Sequence, residues 1–496
     1  MKRSLVDYFE ENARRSPDSV AIYFKDVKYT YGELEGAVAR CRGALAAQGV
    51  KPGDRVSLVM SDSPEMVTAF LAIMGAGAVA VPCSTLLPPE GLAYVFRDSE
   101  AKLVLVSPEH LQNAKAAGHA KVLLFSEFAD QGQRAPLGGF DRDTPCLVLY
   151  TSGSTGQPKG AVHRHGHMPC TVESVAKKVY RLTPDDRLFS VPRLFFAYGF
   201  GNSLSIPLGT GASSILVSER PTPALIAEAF AKYRPTVFFA VPTVFRMLIE
   251  HARQGNPLDA SSIKYSVSAG EVLPLATWEE WKALVGSEII ETIGTTELLH
   301  AFIHNYRDNN RPGSSGVVLE GYECKLTDEQ GNVVVGAGRG HLHARGGSAI
   351  PYYLNKPDKT AETIRDGWVR TGDVYRRDEE GFYWFEGRSD DLFKCSGMWV
   401  SPGEVEDAVC RHPAVMEAAV IAETDANGGT IAAAYVLLRP GHAASDALEQ
   451  AIKDEAAKTL PRYKRPRRVH FMKELPRTPT GKVQRFKLRQ QSSRAS

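Results

Sequence analysis

The most constraining feature of this chain is a rhythm. Over its first three hundred residues, short apolar runs recur between stretches with helical spacing. The runs fall at residues 56–60, 78–81, 103–106, 122–125, 146–150, 215–217, 237–241 and 289–293. Runs that are apolar on both faces suit strands covered by helices on both sides. The pattern therefore predicts an α/β protein built on doubly wound parallel sheets. Helix starts are marked as well. Thr30 followed by Glu33 forms a capping box that opens a helix stopping near Gly49. Ser63-Pro64-Glu65 opens another, with proline at its first position. Pro223–Tyr233 has helical spacing. The apolar stretch 66–83 is interrupted by Gly75 and Gly77, and reads as a buried helix turning into a strand, not as a membrane span.

At 496 residues, a prior of roughly 150 residues per domain gives about three folding units. The texture changes after about residue 310. Residues 316–348 are glycine-rich with short apolar runs, which suggests small antiparallel strands. Residues 387–406 are polar, and a compact stretch with its own helices and strands follows. The expected division is a domain over 1–387, a hinge at 388–391 and a second domain over 392–496.

The formal net charge of +2 excludes a global field that would gather nucleic acid or a membrane surface. One local cluster departs from this balance: Arg462, Lys464, Arg465, Arg467 and Arg468. It reads either as a solvated surface or as a patch facing a phosphorylated ligand. The seven cysteines form no CxxC pair, and their number is odd. That suggests a reducing compartment without a disulfide framework. Met1 to Leu5 run into an amphipathic helix rather than a signal-peptide apolar run, so the expected location is cytoplasmic. The sequence leaves the oligomeric state open, with a homodimer among the compatible assemblies.

The strongest chemical signal is Tyr150-Thr151-Ser152-Gly153-Ser154-Thr155-Gly156-Gln157-Pro158-Lys159-Gly160, placed directly after an apolar run. Glycines let backbone N–H groups approach an anion, hydroxyls add donors, and the lysine adds positive charge. This is phosphate-gripping chemistry. It is not the Walker pattern, because Pro158 precedes Lys159; Gly481-Lys482 is followed by Val483, and Pro476 stands where the first glycine should be. Residues 75–80 match a dinucleotide fingerprint loosely, but they precede a strand instead of following one.

The loop resembles the signature of the adenylate-forming superfamily of acyl-CoA synthetases, adenylation domains and luciferases. Further motifs occur in the superfamily's order: Ser268-Ala269-Gly270-Glu271, Ile293-Gly294-Thr295-Thr296-Glu297, Arg370-Thr371-Gly372-Asp373, Gly387-Arg388-Ser389-Asp390-Asp391 through Gly397 and Glu404, and Pro476 to Gly481-Lys482. The resemblance runs over nearly the whole chain. It implies a large N-terminal domain of two α/β subdomains plus a small β-barrel, capped by a mobile C-terminal α+β domain.

The resemblance also implies roles. Thr151 to Gly156 and Lys159 would grip phosphates, and Gly270, Glu271, Ile293, Gly294 and Thr295 would line the nucleotide, with Ile293 covering the purine face. Glu297, at a strand's carboxyl end, is the candidate Mg²⁺ ligand, and Thr296 offers a hydroxyl to phosphate. Asp373 has the acceptor-only side chain that two ribose hydroxyls need. Arg388 would pair with phosphate or ribose. Lys482 is the candidate for adenylation itself, since a cation between an attacking carboxylate and the α-phosphate stabilises shared negative charge. Asp390 matches the hinge about which the small domain turns, and Gly397 a glycine that lets the pantetheine arm pass.

Residues 193–202 would form a wall of the acyl pocket. No aspartate stands there to pair with a substrate ammonium, and Phe196 replaces the histidine that many acyl ligases carry. Phe196, Ala197 and Tyr198, with Leu299 and His300 after Glu297, resemble the benzoate–CoA ligases closely. Together with Ala269 they suggest a flat, short pocket for one aromatic ring. His300 is either a partner for a ring substituent or a helix residue. The expected reaction uses ATP, Mg²⁺ and CoA to convert a benzoate-like acid into its CoA thioester. Open alternatives are loading of a carrier-protein thiol, a short-chain or alicyclic acid as substrate, and a non-catalytic nucleotide-binding protein. His163, His165 and His167 alternate as on one strand face and invite a zinc reading, but no cysteine or aspartate stands nearby.

Overall fold

The structure, a computed structural model, describes residues 4–129, 132–136, 138, 140–151, 157–425, 428–477 and 483–495. Ser152 to Gly156 and Lys482 lie outside the described residues.

The apolar runs become strands of two sheets. The six-stranded sheet has the order Val122–Leu124, Ala101–Val106, Arg55–Val59, Val79–Pro82, Pro145–Thr151, Lys159–Arg164. Its strands are parallel except Lys159–Arg164, which returns antiparallel along Pro145–Thr151. In the nine-stranded sheet the parallel centre runs Ile289–Gly294, Tyr265–Ser268, Val237–Ala240, Arg187–Ser190, Ser213–Leu216, Val20–Phe24. Antiparallel strands cover both edges: Ala301–His304 and Val317–Val318 on one side, Val27–Thr30 on the other. Val237, Phe238, Phe239 and Ala240 are all fully buried, as a strand between two helical layers requires. The hairpin Val20–Phe24/Val27–Thr30 joins the second sheet although it precedes the first in sequence.

The expected helix starts are built as read. Thr30 and Glu33 form the reciprocal capping box of helix Tyr31–Ala47, and Ser63 caps Pro64–Gly75 by accepting from the Met66 N–H. Each such cap is worth about 1 kcal/mol. Among the described residues, no helix is long and apolar enough to cross a membrane.

Where a small barrel is expected, five antiparallel strands follow. Tyr322–Thr327 pairs Gly338–Gly346, which pairs Trp368–Arg377; both Ile364–Arg365 and Tyr383–Arg388 then pair with Trp368–Arg377. No described pairing joins the first of these strands to the last. Beyond Arg388 the chain builds a separate unit: a hairpin (Phe393–Cys395, Met398–Val400), helix Pro402–Cys410, and a sheet of Val415–Thr424, Thr430–Leu438 and Arg468–Met472. It has its own core, including Val400, Val405, Val409, Val420, Val436 and Ile452.

Ion pairs dock this unit on the large domain. Arg246, on helix Pro242–Arg253, reaches Glu417 at 3.2 Å, and Arg439 reaches Glu250 at 3.6 Å. Glu417 is nearly buried and also receives Arg477. Removing one partner of a buried pair of this kind typically costs about 3–5 kcal/mol.

Candidate active site

The carboxyl ends of the parallel strands bring the sequence motifs together. Strand Ile289–Gly294 delivers Thr295, Thr296 and Glu297 on a short 3₁₀ turn, Thr296–Leu298. Strand Pro145–Thr151 delivers Thr151, which pairs across to Lys159. The phosphate-loop segment therefore connects two antiparallel strands, and the second of these was not legible in the sequence.

Glu297 and Lys159 meet through a residue the sequence did not single out. The Tyr353 hydroxyl donates to Glu297 Oε1 at 2.5 Å. The Lys159 ammonium lies 4.4 Å from the centre of the Tyr353 ring and 3.4 Å from its hydroxyl. Burial pushes the Lys159 ammonium below its ordinary pKa, while Glu297 opposes that shift. Tyr353 thus holds an anion and a cation on one aromatic side chain.

Thr295 Oγ1 is buried and has no partner among the described residues. A buried hydroxyl without a partner is costly, so a ligand oxygen there would be well received. Gly294 is required by close approach, because a Cβ at this position would lie 2.6 Å from the His300 carbonyl oxygen. Beneath the turn, His163 Nε2 lies 2.9 Å from the Thr296 carbonyl. The carbonyl can only accept, so Nε2 carries the proton and Nδ1 accepts from His167 Nδ1 at 3.0 Å. Burial lowers the His163 pKa to about 3, so the ring is neutral.

The three histidines do not share a strand face, contrary to their spacing. The strand ends at Arg164, His165 stacks on Phe140 at 5.5 Å, and His167 opens a helix. Among the described residues no group of three potential ligands could hold a metal ion.

Asp373 is buried, and its Oδ1 accepts from Arg388 Nη1 at 2.9 Å; the same nitrogen reaches the Thr371 carbonyl. Arg388, expected on phosphate or ribose, is here committed to Asp373. Gly372 between them has φ +78°, and a Cβ there would lie 2.8 Å from Arg388 Nη2. Gly270 has φ +91° just past strand Tyr265–Ser268, and Glu271 follows it. The field of Glu271 adds to those of Glu406 and Asp391 in holding the Arg485 guanidinium charged, against its burial.

The acyl side is assembled from distant segments. After strand Arg187–Ser190 the chain folds tightly: Phe196 N–H donates to Arg193 O at 3.0 Å, and a Cβ at Gly199 would lie 2.0 Å from that oxygen. This turn presents Phe196, Ala197 and Tyr198, each partly exposed, and buries Leu194, Phe195 and Phe200. The rings of Phe195 and Phe196 meet edge-on at 4.5 Å. The Tyr198 hydroxyl donates to the Val267 carbonyl at 3.2 Å, and its ring lies 5.7 Å from that of His300. Ala269, at the end of the next strand but one, is buried.

His300 is not a helix residue. Leu299 sits at φ +65°, ψ −42°, and the His300 N–H donates back to the Leu298 carbonyl at 2.8 Å. That is a γ-turn, a strained conformation for a branched residue. It turns His300 inward, where Nε2 meets Asn202 Oδ1 at 3.0 Å. An amide oxygen only accepts, so Nε2 carries the proton and Nδ1 is left as an acceptor with no partner among the described residues. Burial lowers the His300 pKa to about 3. Asn202, fully buried, closes the 193–202 segment expected as an acyl wall, although no individual role was read for it, and Gly201 beside it leaves room for the imidazole.

At the hinge Asp390 is exposed, while its neighbour Asp391 accepts from Arg489 at 2.8 Å and faces Arg485 at 3.7 Å. Gly397 (φ +79°) follows Ser396 (φ +51°) in a two-residue hairpin turn, and a Cβ on Gly397 would meet nothing within 4 Å. Arg477 and Val483, which flank the Lys482 segment, pair with each other. Within the basic cluster, Lys464 pairs with Glu404, Arg468 with Glu423 at 2.9 Å, and Arg465 with the Leu460 carbonyl. Three of the five cations are therefore already partnered.

The sequence pattern of the AMP-binding enzyme family matches residues 9–354, and that of the AMP-binding enzyme C-terminal domain matches residues 404–482. The chain belongs to the AMP-binding enzyme family. The two matches lie on either side of the hinge segment. The benzoate–CoA ligase of Thauera aromatica is 38% identical over 94% of this chain and 92% of its own length. Among solved structures, an anthranilate CoA ligase in complex with anthranoyl-AMP superposes with a TM-score of 0.95 at 35% identity, covering 100% of this chain and 99% of that one. A benzoate CoA ligase from Burkholderia xenovorans superposes at 0.91 with 36% identity, covering 98% and 99%. For this AMP-binding enzyme, the motifs read from the sequence therefore sit in a fold shared with solved anthranilate and benzoate CoA ligases.

Proposed function

We infer that this chain activates a single-ring aromatic carboxylate with ATP and transfers the acyl group to CoA. The observation that carries the reading is one short segment, 294–300. Its first half offers Thr295 and Glu297 to a nucleotide, and its second half turns His300 toward Tyr198 in an aromatic-walled recess. The likeness to benzoate– and anthranilate–CoA ligases over nearly the whole chain supports the same substrate class.

In the first step a carboxylate oxygen attacks the α-phosphorus of ATP. The bond to the β-phosphate oxygen breaks and pyrophosphate leaves. In the second, the CoA sulfur attacks the acyl carbon, the acyl–phosphate C–O bond breaks, and AMP leaves with the proton of the thiol passing to solvent. Phe196, Ala197 and Tyr198 hold the ring flat and orient its carboxylate. Lys159 and Thr295 meet phosphate oxygens, and Asp373 takes the ribose hydroxyls. Glu297, steadied by Tyr353, would hold Mg²⁺, which when bound neutralises triphosphate charge. The buried Thr295 hydroxyl, two positions before Glu297 in the chain and without a partner among the described residues, suits such a metal nucleotide. Lys482 supplies the cation for the adenylation transition state. The small domain then turns about residues 388–391 to bring Gly397 to the pantetheine arm. Because ATP and CoA are its co-substrates and its described cysteines are free, we place the enzyme in the cytoplasm.

The half-reactions test this reading. With ATP, Mg²⁺ and benzoate alone, the enzyme forms aryl-AMP and pyrophosphate; adding CoA yields benzoyl-CoA and AMP. Aryl-AMP formation with no CoA thioester, but with loading of a phosphopantetheinyl carrier protein, would move the acceptor from CoA to that carrier. Absence of pyrophosphate release with any acid would overturn the catalytic reading.

A further inference from the structure

One buried acid lies outside the site so far described and reaches it through the main chain. Asp62 stands just past strand Arg55–Val59 of the six-stranded sheet, immediately before the Ser63 cap of helix Pro64–Gly75. It is 4% exposed. Leu194 N–H donates to both oxygens, each at 3.2 Å, and Arg193 Nη1 lies 3.9 Å from Oδ2. Arg193 in turn donates to the carbonyls of Val217 and Glu219. Leu194 is the second residue of the turn that Arg193 opens and that presents Phe196, Ala197 and Tyr198.

A charged carboxylate is expensive to bury, and is retained only where hydrogen bonds and a counter-charge offset that cost. Burial raises the Asp62 pKa to about 6 despite Arg193 and Leu194, so the group is held in place against its desolvation. Helix Pro64–Gly75 continues the link, since Phe70 meets Phe200 edge-on at 5.4 Å. Residues 194–200 are thus held at both ends by the segment that follows strand Arg55–Val59, by Asp62 at Leu194 and by Phe70 of the helix at Phe200.

We propose that Asp62 is a positioning residue for the aryl-acid substrate: it fixes the main chain at Leu194 and so sets the placement of Phe196, Ala197 and Tyr198 in the acyl recess. This rests on the reading of residues 196–198 as the acyl wall. Asp62 touches neither substrate, and it acts on the acid without acting on ATP.

The test compares Asp62→Asn, which keeps an acceptor for the Leu194 N–H, with Asp62→Leu, which matches its size and offers none. KM for benzoate and for ATP are measured by pyrophosphate release, alongside Tyr198→Ala. The expected result is a rise of about tenfold or more in KM for benzoate in Asp62→Leu, with KM for ATP within about twofold of the parent. Asp62→Asn recovers most of the loss. If Asp62→Leu does not fold, Asp62→Asn is compared with Asp62→Ser, whose shorter hydroxyl cannot span the distance, and the same split is expected. Equal rises in both KM values, or an unchanged benzoate KM in folded protein while Tyr198→Ala alters it, would overturn the inference and leave the acyl-wall reading standing. No change in acid selectivity in any variant, Tyr198→Ala included, would overturn both.

Discussion

The two ends of segment 294–300 are built on different principles. The proposed nucleotide end takes the contiguous Thr295, Thr296 and Glu297 from one strand terminus, and Thr151 and Lys159 join it from two paired strands. The proposed acyl end draws Tyr198, Asn202, Val267 and His300 from distant stretches and fixes them by a γ-turn and hydrogen bonds. An anion site can be assembled from backbone and hydroxyl donors in a short loop. A recess shaped to one ring needs walls from several directions. The first kind of site is therefore common to many substrates, and the second decides among them.

The largest expected effect would break this division if it failed. Lys482→Ala should reduce adenylation by about 10²–10³-fold or more, while transfer from preformed aryl-AMP to CoA stays near the parent rate. Pyrophosphate release and thioester formation, measured separately, check this; equal losses would remove the role assigned to Lys482. Tyr198→Ala should come next. It should lower kcat/KM for benzoate by about 10–10²-fold, the scale of a lost oriented contact, and leave KM for ATP unchanged. A parallel rise in KM for ATP would show that the two ends are not separable. Tyr353→Phe should act on the other end only. It keeps the ring under Lys159 but removes the donor to Glu297, so the Mg²⁺ concentration for half-maximal binding of ATP by calorimetry should rise several-fold, with benzoate selectivity intact.

The smallest effect concerns the strand that carries the nucleotide end. Glu291 is buried on it, and burial raises its pKa to about 8 despite the Gly313 N–H donated to it. A carboxyl raised in the fold favours the neutral form. Its contribution to stability is complete below the ordinary carboxylate pKa and is lost as pH rises through about 8. The melting temperature should therefore fall over that window, and Glu291→Gln should flatten the fall. A parent enzyme whose melting temperature rises through the window would contradict the assignment.

What was legible in the sequence follows the same division. The strands at 237–241 and 289–293, the capping box at Thr30 and the cap at Ser63 were readable because local pattern and chemistry specify them. Glu297, Lys159 and Asp373 could be named as candidates because they sit in contiguous motifs. The hairpin at Val20–Phe24 and Val27–Thr30 was not legible, because its place in the second sheet is a tertiary fact. Nor were Tyr353, Asp62 and the pairing of Asn202 with His300, because each acts on a partner far away in the chain: Tyr353 on Glu297, Asp62 on Leu194 and Asn202 on His300. The histidine spacing misled because the strand stops at Arg164, and no periodicity marks that end.

One measurement tests the aryl-acid assignment most directly: kcat/KM for CoA-thioester formation with ATP and Mg²⁺ across a panel of acids. The panel would include benzoate, hydroxy- and aminobenzoates, furoate, cyclohexanecarboxylate, cinnamates and hexanoate. The recess lined by Phe196, Ala197 and Tyr198 predicts that single-ring aromatic acids lead the panel, with cinnamates and hexanoate at least about tenfold behind. Hexanoate or cyclohexanecarboxylate turning over as well as benzoate would contradict the account of the acyl end, while leaving the nucleotide end as described.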